Sequence, residues 1–226
     1  VPLRQPLFPV ALEIGGRECL VVGAGPVAAR KAAGLLDCGA NVTVVAPGIG
    51  SSMTELADRS GDAGGSLRIE RRDYRPGEAA DYRLVITATG IRDVDGAVYA
   101  DADAAGVWVN SADDVDRCTF ILPAIHRDGM VTVSISTGGA SPALASWLRR
   151  QMGDALGGGL GAMAALLEQA RRRVKAEGRS TEGLAWPALL DGPFPELVRE
   201  GRLDEASALV DQLVAPPDLP TSVGRP

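Results

Sequence analysis

Apolar positions in the first half of the chain fall into short runs separated by stretches of helical spacing. Cys19-Leu20-Val21-Val22, Val42-Thr43-Val44-Val45-Ala46 and Leu84-Val85-Ile86-Thr87-Ala88 have the length and β-branched content of buried strands. Leu67–Arg71 alternates like a half-exposed strand, and Val107-Trp108-Val109 reads as another, closing near Asn110. Val10–Ile14 fits a short strand before a Gly15-Gly16 turn, after an irregular lead-in over residues 2–9 that holds Pro2, Pro6 and Pro9. Helical spacing follows Gly25, covers Ser51–Arg59 and returns over Val94–Ala105, while Asp62–Ser66 reads as a loop. Strand, helix and strand repeated in this way predict a parallel sheet covered on both faces.

Past residue 118 the pattern changes. Thr119–Ile125 and Met130–Ser136 flank Asp128-Gly129 and predict an antiparallel hairpin, with His126-Arg127-Asp128-Gly129 as its surface turn. Ser141 as N-cap and Pro142 as first residue open a helix to about Gly153, carrying Leu144, Trp147 and Leu148 on one face and Arg149 with Arg150 near its end. Beyond Gly157-Gly158-Gly159 an alanine-rich helix runs to Lys175, followed by shorter helices around Leu184–Leu190 and Leu203–Val214. The expected fold is α/β: a Rossmann-type parallel-sheet domain over 1–113, a small α+β domain over 114–150, a helical domain over 151–214, and a disordered tail or linker stub over 215–226.

The strongest chemical signal is the turn Gly23-Ala24-Gly25-Pro26-Val27-Ala28, set between the first long apolar run and a helical stretch. Gly23 suits the tight turn, Gly25 bares the backbone for a pyrophosphate, and Ala28 lets helix and strand pack closely. Pro26 fits a first helical turn, where its missing N–H costs nothing, and the free N–H groups there, Val27 among them, favour an anion. G-x-G-x-x-A also occurs by chance; the second strand at Val42–Ala46 completes a βαβ unit and strengthens it. The acidic residue expected to hold a ribose hydroxyl is replaced by Ala46-Pro47-Gly48, so backbone near Pro47 and Gly48 is the candidate ribose contact. No arginine stands there for a 2′-phosphate, which favours NAD over NADP without deciding it. Ligands of such sheets lie beyond the carboxyl ends of the strands, which adds Ala88, Thr89 and the stretch Asn110–Asp114 to the candidates.

Composition narrows the rest. A formal charge of −6 over 226 residues argues against a broad nucleic-acid-binding face. No apolar run reaches membrane-spanning length and no secretory pattern opens the chain, so a cytoplasmic protein without membrane contact is expected. Cys19, Cys38 and Cys118 are too scattered for a disulfide framework or a zinc site, and read as reduced, buried thiols. His126 is the only histidine, so no metal site is assigned.

With the glycine turn, Ala28-Ala29-Arg30-Lys31, Asn110-Ser111-Ala112-Asp113, Phe120-Ile121-Leu122-Pro123 and Ser136-Thr137-Gly138-Gly139-Ala140-Ser141-Pro142 laid in order, the chain resembles the precorrin-2 dehydrogenase family. That family is also the dehydrogenase and chelatase module of siroheme synthase. Pro6-Leu7-Phe8-Pro9 adds to the resemblance, which covers roughly residues 5–150; the S-x-G-G-x-S-P signature is its most specific part. It implies oxidation of precorrin-2 to sirohydrochlorin with NAD⁺ as hydride acceptor, in some members followed by insertion of Fe²⁺ to give siroheme. It also implies a homodimer, with the dimerisation domain over 114–150, and no counterpart here to the methyltransferase domain fused in some siroheme synthases.

The resemblance places the family's acidic residue on Asp113, a candidate base for the proton released on oxidation or for pyrrole N–H protons during metal entry; an aspartate that merely caps a turn is the competing reading. The family's serine position, phosphorylated in some members, falls on Thr137. Thr137, Gly138, Gly139 and Ser141 are candidates for holding a substrate carboxylate on exposed N–H groups, against a glycine turn needed only for packing. Arg30 and Lys31 are further candidates for substrate carboxylates or pyrophosphate, against a solvated helix face. Gly90, where many relatives carry an acid, receives no role. The alternative function is a non-catalytic NAD(H)-binding redox sensor, which needs neither Asp113 nor the second glycine motif.

Overall fold

A computed structural model of the chain describes residues 6–60 and 64–216. The start of the predicted lead-in, part of the loop after Gly61 and nearly all of the predicted tail lie outside the described residues. The first half alternates β1 (Glu18–Val22), α1 (Pro26–Leu36), β2 (Asn41–Val45), α2 (Ser51–Arg59), β3 (Ser66–Glu70), β4 (Leu84–Thr87), α3 (Arg92–Ala104) and β5 (Trp108–Ser111). All neighbouring strands pair in parallel, in the order β3-β2-β1-β4-β5. Side chains alternate across this sheet. Val21, Val44 and Ile86 pack with Ala28, Ala32 and Leu36 of α1, whereas Leu20, Val85 and Val109 pack with Val98 and Ala102 of α3. Each large apolar side chain so buried contributes about 1.5–3 kcal/mol, and the alanines of α1 bring that helix close to the sheet.

Chain order reverses at β1, which lies between β2 and β4. That opens a crevice at the carboxyl ends of β1 and β4, where open α/β sheets bind ligands.

The predicted strand at Val10–Ile14 is absent. Residues 6–14 pair with no strand, and Phe8 is 87% and Val10 64% exposed, with only Ile14 buried. Apolar content makes a strand only where a sheet edge is free, and the outer edge of β5 is occupied. There Cys118 bridges Asn110 in antiparallel fashion, the Thr119 N–H donates to the Val109 carbonyl at 2.8 Å, and the Val109 N–H donates to the Thr119 hydroxyl at 2.8 Å.

The same contacts shorten the predicted hairpin. Its strands are β6 (Ala124–Asp128) and β7 (Val131–Ile135), while Thr119 and Phe120 bond to the edge of β5 instead. His126 is therefore a strand residue opposite Val133, not part of a surface turn; the turn falls on Gly129-Met130.

The compact units also divide differently from the cuts expected at 113 and 150. One runs to Leu122 and includes Ser136–Ser141; the other takes Pro123–Ile135 and the chain from Pro142 on. In the second unit, α4 (Pro142–Leu156) continues through Gly153, whose missing side chain leaves room for the His126 ring. The helical remainder is α5 (Leu160–Ala176), α6 (Trp186–Leu190), α7 (Phe194–Arg199) and α8 (Leu203–Val214), around a core of Met163, Val174, Phe194 and Val210. Helix α7, unpredicted, starts after Pro193 and plants the fully buried Phe194 in that core. Asp128 accepts the Leu160 N–H at 2.7 Å and caps α5.

Candidate functional site

The predicted site residues of the first unit converge on the carboxyl ends of β1, β2, β4 and β5. Gly23 follows β1 with φ +110°, and its N–H donates to the Val45 carbonyl at 2.9 Å. A Cβ at this position would lie 2.4 Å from the Ala88 carbonyl oxygen, so only glycine lets the turn pass the β4 loop. Gly25 differs. It is the N-cap of α1, and a Cβ there would meet nothing within 4 Å. Pro26 and Val27 beside it are exposed, as are Pro47 and Gly48 after β2. The first-turn N–H groups of α1 thus face open space, and a dinucleotide's pyrophosphate fits there.

The β4 end carries a residue that the sequence reading missed. Asp95, in the first turn of α3 and only 7% exposed, accepts the Thr87 hydroxyl, the Thr89 hydroxyl at 2.8 Å and the Thr89 N–H at 3.2 Å. The Thr89 hydroxyl in turn accepts the Ile91 N–H at 3.0 Å. This buried carboxylate sets the path of Thr87-Ala88-Thr89 past Gly23. Its sequence signal was a threonine on each side of a strand end with an acid eight residues beyond the first. Asp95→Ala leaves those donors without an acceptor, and about 1–3 kcal/mol of stability should be lost. A lowered melting temperature together with weaker dinucleotide binding by titration calorimetry is the expected outcome.

At the end of β5, Asn110 is buried, 5% exposed, with its amide donating to the Phe120 carbonyl at 3.0 Å. Its Oδ1 has no partner. Asp114 accepts the Asp116 N–H at 3.1 Å and pairs with Arg117 at 3.5 Å, so it is Asp114 that caps the turn after β5. Asp113 itself is exposed and enters no hydrogen bond or ion pair. Its charge reaches Lys31 of α1. Burial lowers the Lys31 pKa from the ordinary lysine value and neighbouring Arg30 adds to the fall, while Cys118 and Asp113 oppose it. Arg30 and Lys31 therefore part ways: Arg30 is exposed, and Lys31 half-buried towards the β5 end.

Ser136–Ser141 belongs to the same compact unit. Gly138 and Gly139 take φ of +61° and +79°, and a Cβ on Gly139 would lie 3.5 Å from Val115 Cγ2, two residues beyond Asp113. Most of the N–H donors expected to be free are used inside the loop. Gly138 donates to Ser136 Oγ at 3.2 Å, Ala140 to the Thr137 carbonyl at 3.0 Å and Ser141 to Thr137 Oγ1 at 3.1 Å. The Thr137 hydroxyl, which also lies 3.1 Å from the Ser141 carbonyl, holds the turn closed, and the Gly139 N–H is left without a partner. Of the cysteines, only Cys19 is fully buried; Cys38 and Cys118 are partly exposed, and none of the three is in a disulfide. Among the described residues no three His, Cys, Asp or Glu side chains converge as metal ligands, and no helix is long and apolar enough to cross a membrane.

A parallel sheet that reverses at β1, with a glycine-only turn at Gly23 and bare backbone at Gly25, defines a dinucleotide-binding protein of the Rossmann class. Comparisons with known proteins narrow this. Residues 10–124 match the family described as NAD(P)-binding, residues 128–155 that described as sirohaem biosynthesis protein central, and residues 159–214 that described as sirohaem synthase dimerisation region. The chain belongs to this family, the NAD(P)-binding and dimerisation module of siroheme synthases. It is 38% identical over 206 residues to the siroheme synthase of Methylococcus capsulatus, covering 90% of this chain and 42% of that protein. It is 34% identical to that of Acinetobacter baylyi, covering 92% and 45%. The chain thus spans less than half the length of these relatives. Among solved structures, "SirC, precorrin-2 dehydrogenase" matches with a TM-score of 0.68 and 23% identity, over 91% of this chain and all of that one. The dimerisation description falls on α5–α8, whereas the resemblance assigned pairing to 114–150.

Proposed function

We propose that this chain oxidises precorrin-2 to sirohydrochlorin at the carboxyl edge of its parallel sheet. NAD⁺, when bound, supplies the hydride acceptor, so that precorrin-2 and NAD⁺ give sirohydrochlorin, NADH and a proton. The N-terminus of α1 holds the pyrophosphate, and Pro47-Gly48 and Ala88-Thr89 offer backbone to the rest of the dinucleotide. The missing 2′-phosphate arginine near Pro47 supports NAD rather than NADP. Asp113 takes the proton. The observation that carries this reading is Asp113 itself: an exposed, unbonded carboxylate at the end of β5, acting on half-buried Lys31. Lys31 and the Gly139 N–H meet carboxylates of the polyanionic macrocycle.

The same carboxylate suits a second step, in which Fe²⁺ as substrate replaces two pyrrole protons of sirohydrochlorin to give siroheme. The chain pairs with a second copy, which agrees with the exposure of Met130 at 76%, Trp147 at 49% and Leu144 at 46%. Three cysteines outside any disulfide suit a reducing cytoplasm.

The reading is tested by anaerobic incubation with precorrin-2 and NAD⁺ or NADP⁺, following reduced cofactor by absorbance, then adding Fe²⁺. NAD⁺-dependent reduction with formation of the oxidised macrocycle supports it. Cofactor binding without reduction would point to the sensor alternative. Gly139→Ala, which puts a side chain at φ +79° beside Val115, should raise the KM for precorrin-2 more than that for NAD⁺. Equal changes would make the loop a packing device only.

A further inference from the structure

Three residues flanking Asp113, two at the end of β5 and one in the loop after it, touch one sulfur atom. Cys118 Sγ accepts the Ser111 N–H at 3.2 Å and the Asn110 amide at 3.5 Å, and it lies 3.3 Å from the carbonyl oxygens of both Ser111 and Asp114. Its single proton can serve either carbonyl. Ser111 precedes Asp113 by two residues and Asp114 follows it, so the thiol grips the loop on both sides of the carboxylate. The backbone is closed at the same place by the antiparallel bridge between Asn110 and Cys118. Asp113 has no hydrogen bond of its own to hold it, so the path of this loop decides where its carboxylate stands.

We propose that Cys118 is a positioning residue, clasping Ser111–Asp114 so that Asp113 is presented to the macrocycle. This role rests on the reading of Asp113 as the proton acceptor. Burial raises the Cys118 pKa from the ordinary thiol value. The sulfur therefore stays protonated at neutral pH, keeps its donor, and adds no second negative charge beside Asp113. An apolar replacement strands the Ser111 N–H and lets the loop drift. Displacement of a reacting group by about 1 Å can cost on the order of 10²-fold in rate.

The test compares Cys118→Val, Cys118→Ser, Asp113→Ala and the double variant Cys118→Val/Asp113→Ala by steady-state oxidation of precorrin-2 with NAD⁺. Melting curves check folding, and Cys118→Ala stands in if the valine variant is unfolded. Cys118→Val should lower kcat roughly ten- to a hundredfold with the NAD⁺ KM unchanged. Cys118→Ser, which keeps donor and acceptor, should restore most of it. In the Asp113→Ala background the valine should have no further effect, and exchange of the Ser111 amide hydrogen should quicken in Cys118→Val but not in Cys118→Ser. Full activity in Cys118→Val, or losses that multiply in the double variant, overturns the positioning role while leaving Asp113 in place. If Asp113→Ala is itself fully active, or the parent chain reduces no NAD⁺, the underlying reading falls and this role with it.

Discussion

Replacing Asp113 with alanine should lower kcat for precorrin-2 oxidation by about 10²–10⁴, the usual worth of a positioned proton acceptor. The KM for NAD⁺ should stay where it was, because no predicted cofactor contact passes through this side chain. The substitution is clean for a structural reason. Asp113 is exposed and holds nothing in place, so its loss should change stability by no more than about 0.5 kcal/mol. Its neighbours are the natural controls. Asp114 is tied to the Asp116 N–H and to Arg117, and Asp116, within the turn that Asp114 caps, has an exposed side chain, so alanine at Asp116 should leave kcat unchanged. A variant at Asp113 that turns over like the parent would move the chemistry elsewhere. If Fe²⁺ insertion uses the same carboxylate, the chelation rate should fall in step with oxidation.

The second large effect belongs to Gly23. Alanine there puts a Cβ 2.4 Å from the Ala88 carbonyl oxygen and 2.8 Å from its carbon, and both are backbone atoms that no rotamer change can move. The residue would also keep φ near +110°, which L side chains resist. Overpacking of about 1–3 kcal/mol and backbone strain of about 1–2 kcal/mol together predict a loss of roughly 2–5 kcal/mol. For a chain of this size the melting temperature should drop by roughly 2–4 °C per kcal/mol. Relief requires the Ala88-Thr89 loop to move, so NAD⁺ affinity should fall by at least about tenfold, a cost of about 1.4 kcal/mol. Gly25 is the contrast. Its Cβ direction is open and its φ of −79° suits any residue, so Gly25→Ala should melt with the parent and lose only affinity. Equal melting of Gly23→Ala and parent would contradict the close approach at Ala88.

Much of the backbone geometry of this candidate site was legible because its marks are local. Gly23, Gly25 and Pro26 stand within one turn, where the demand for positive φ, bare backbone or a missing N–H is written in the residue itself. Asp113 was reached through the resemblance, with Asp114 and Asp116 close enough to obscure it, and hydrogen bonding separates them. Asp95 and Cys118 were not legible. An aspartate in a helical first turn and a cysteine without a partner are ordinary, and become particular only when Thr87 and Thr89, or Ser111 and Asp114, are folded against them. Arg30 and Lys31 are adjacent and alike in sequence; the phase of α1 sends one outward and half-buries the other. The N-terminal apolar stretch misled for a related reason, since Thr119 already occupied the edge that a strand at Val10–Ile14 would need.

By itself, then, the sequence determined the alternation of strand and helix, the glycine turn after β1 and the presence of a hairpin with Gly129 in its turn, because each depends on periodicity or on backbone demands within a few residues. Only the tertiary structure decided which compact unit owns Ser136–Ser141, which aspartate caps and which stays free, and what holds the β4 and β5 loops. Those outcomes depend on hydrogen bonds whose partners are brought together by packing, and an isolated stretch of chain carries no record of them.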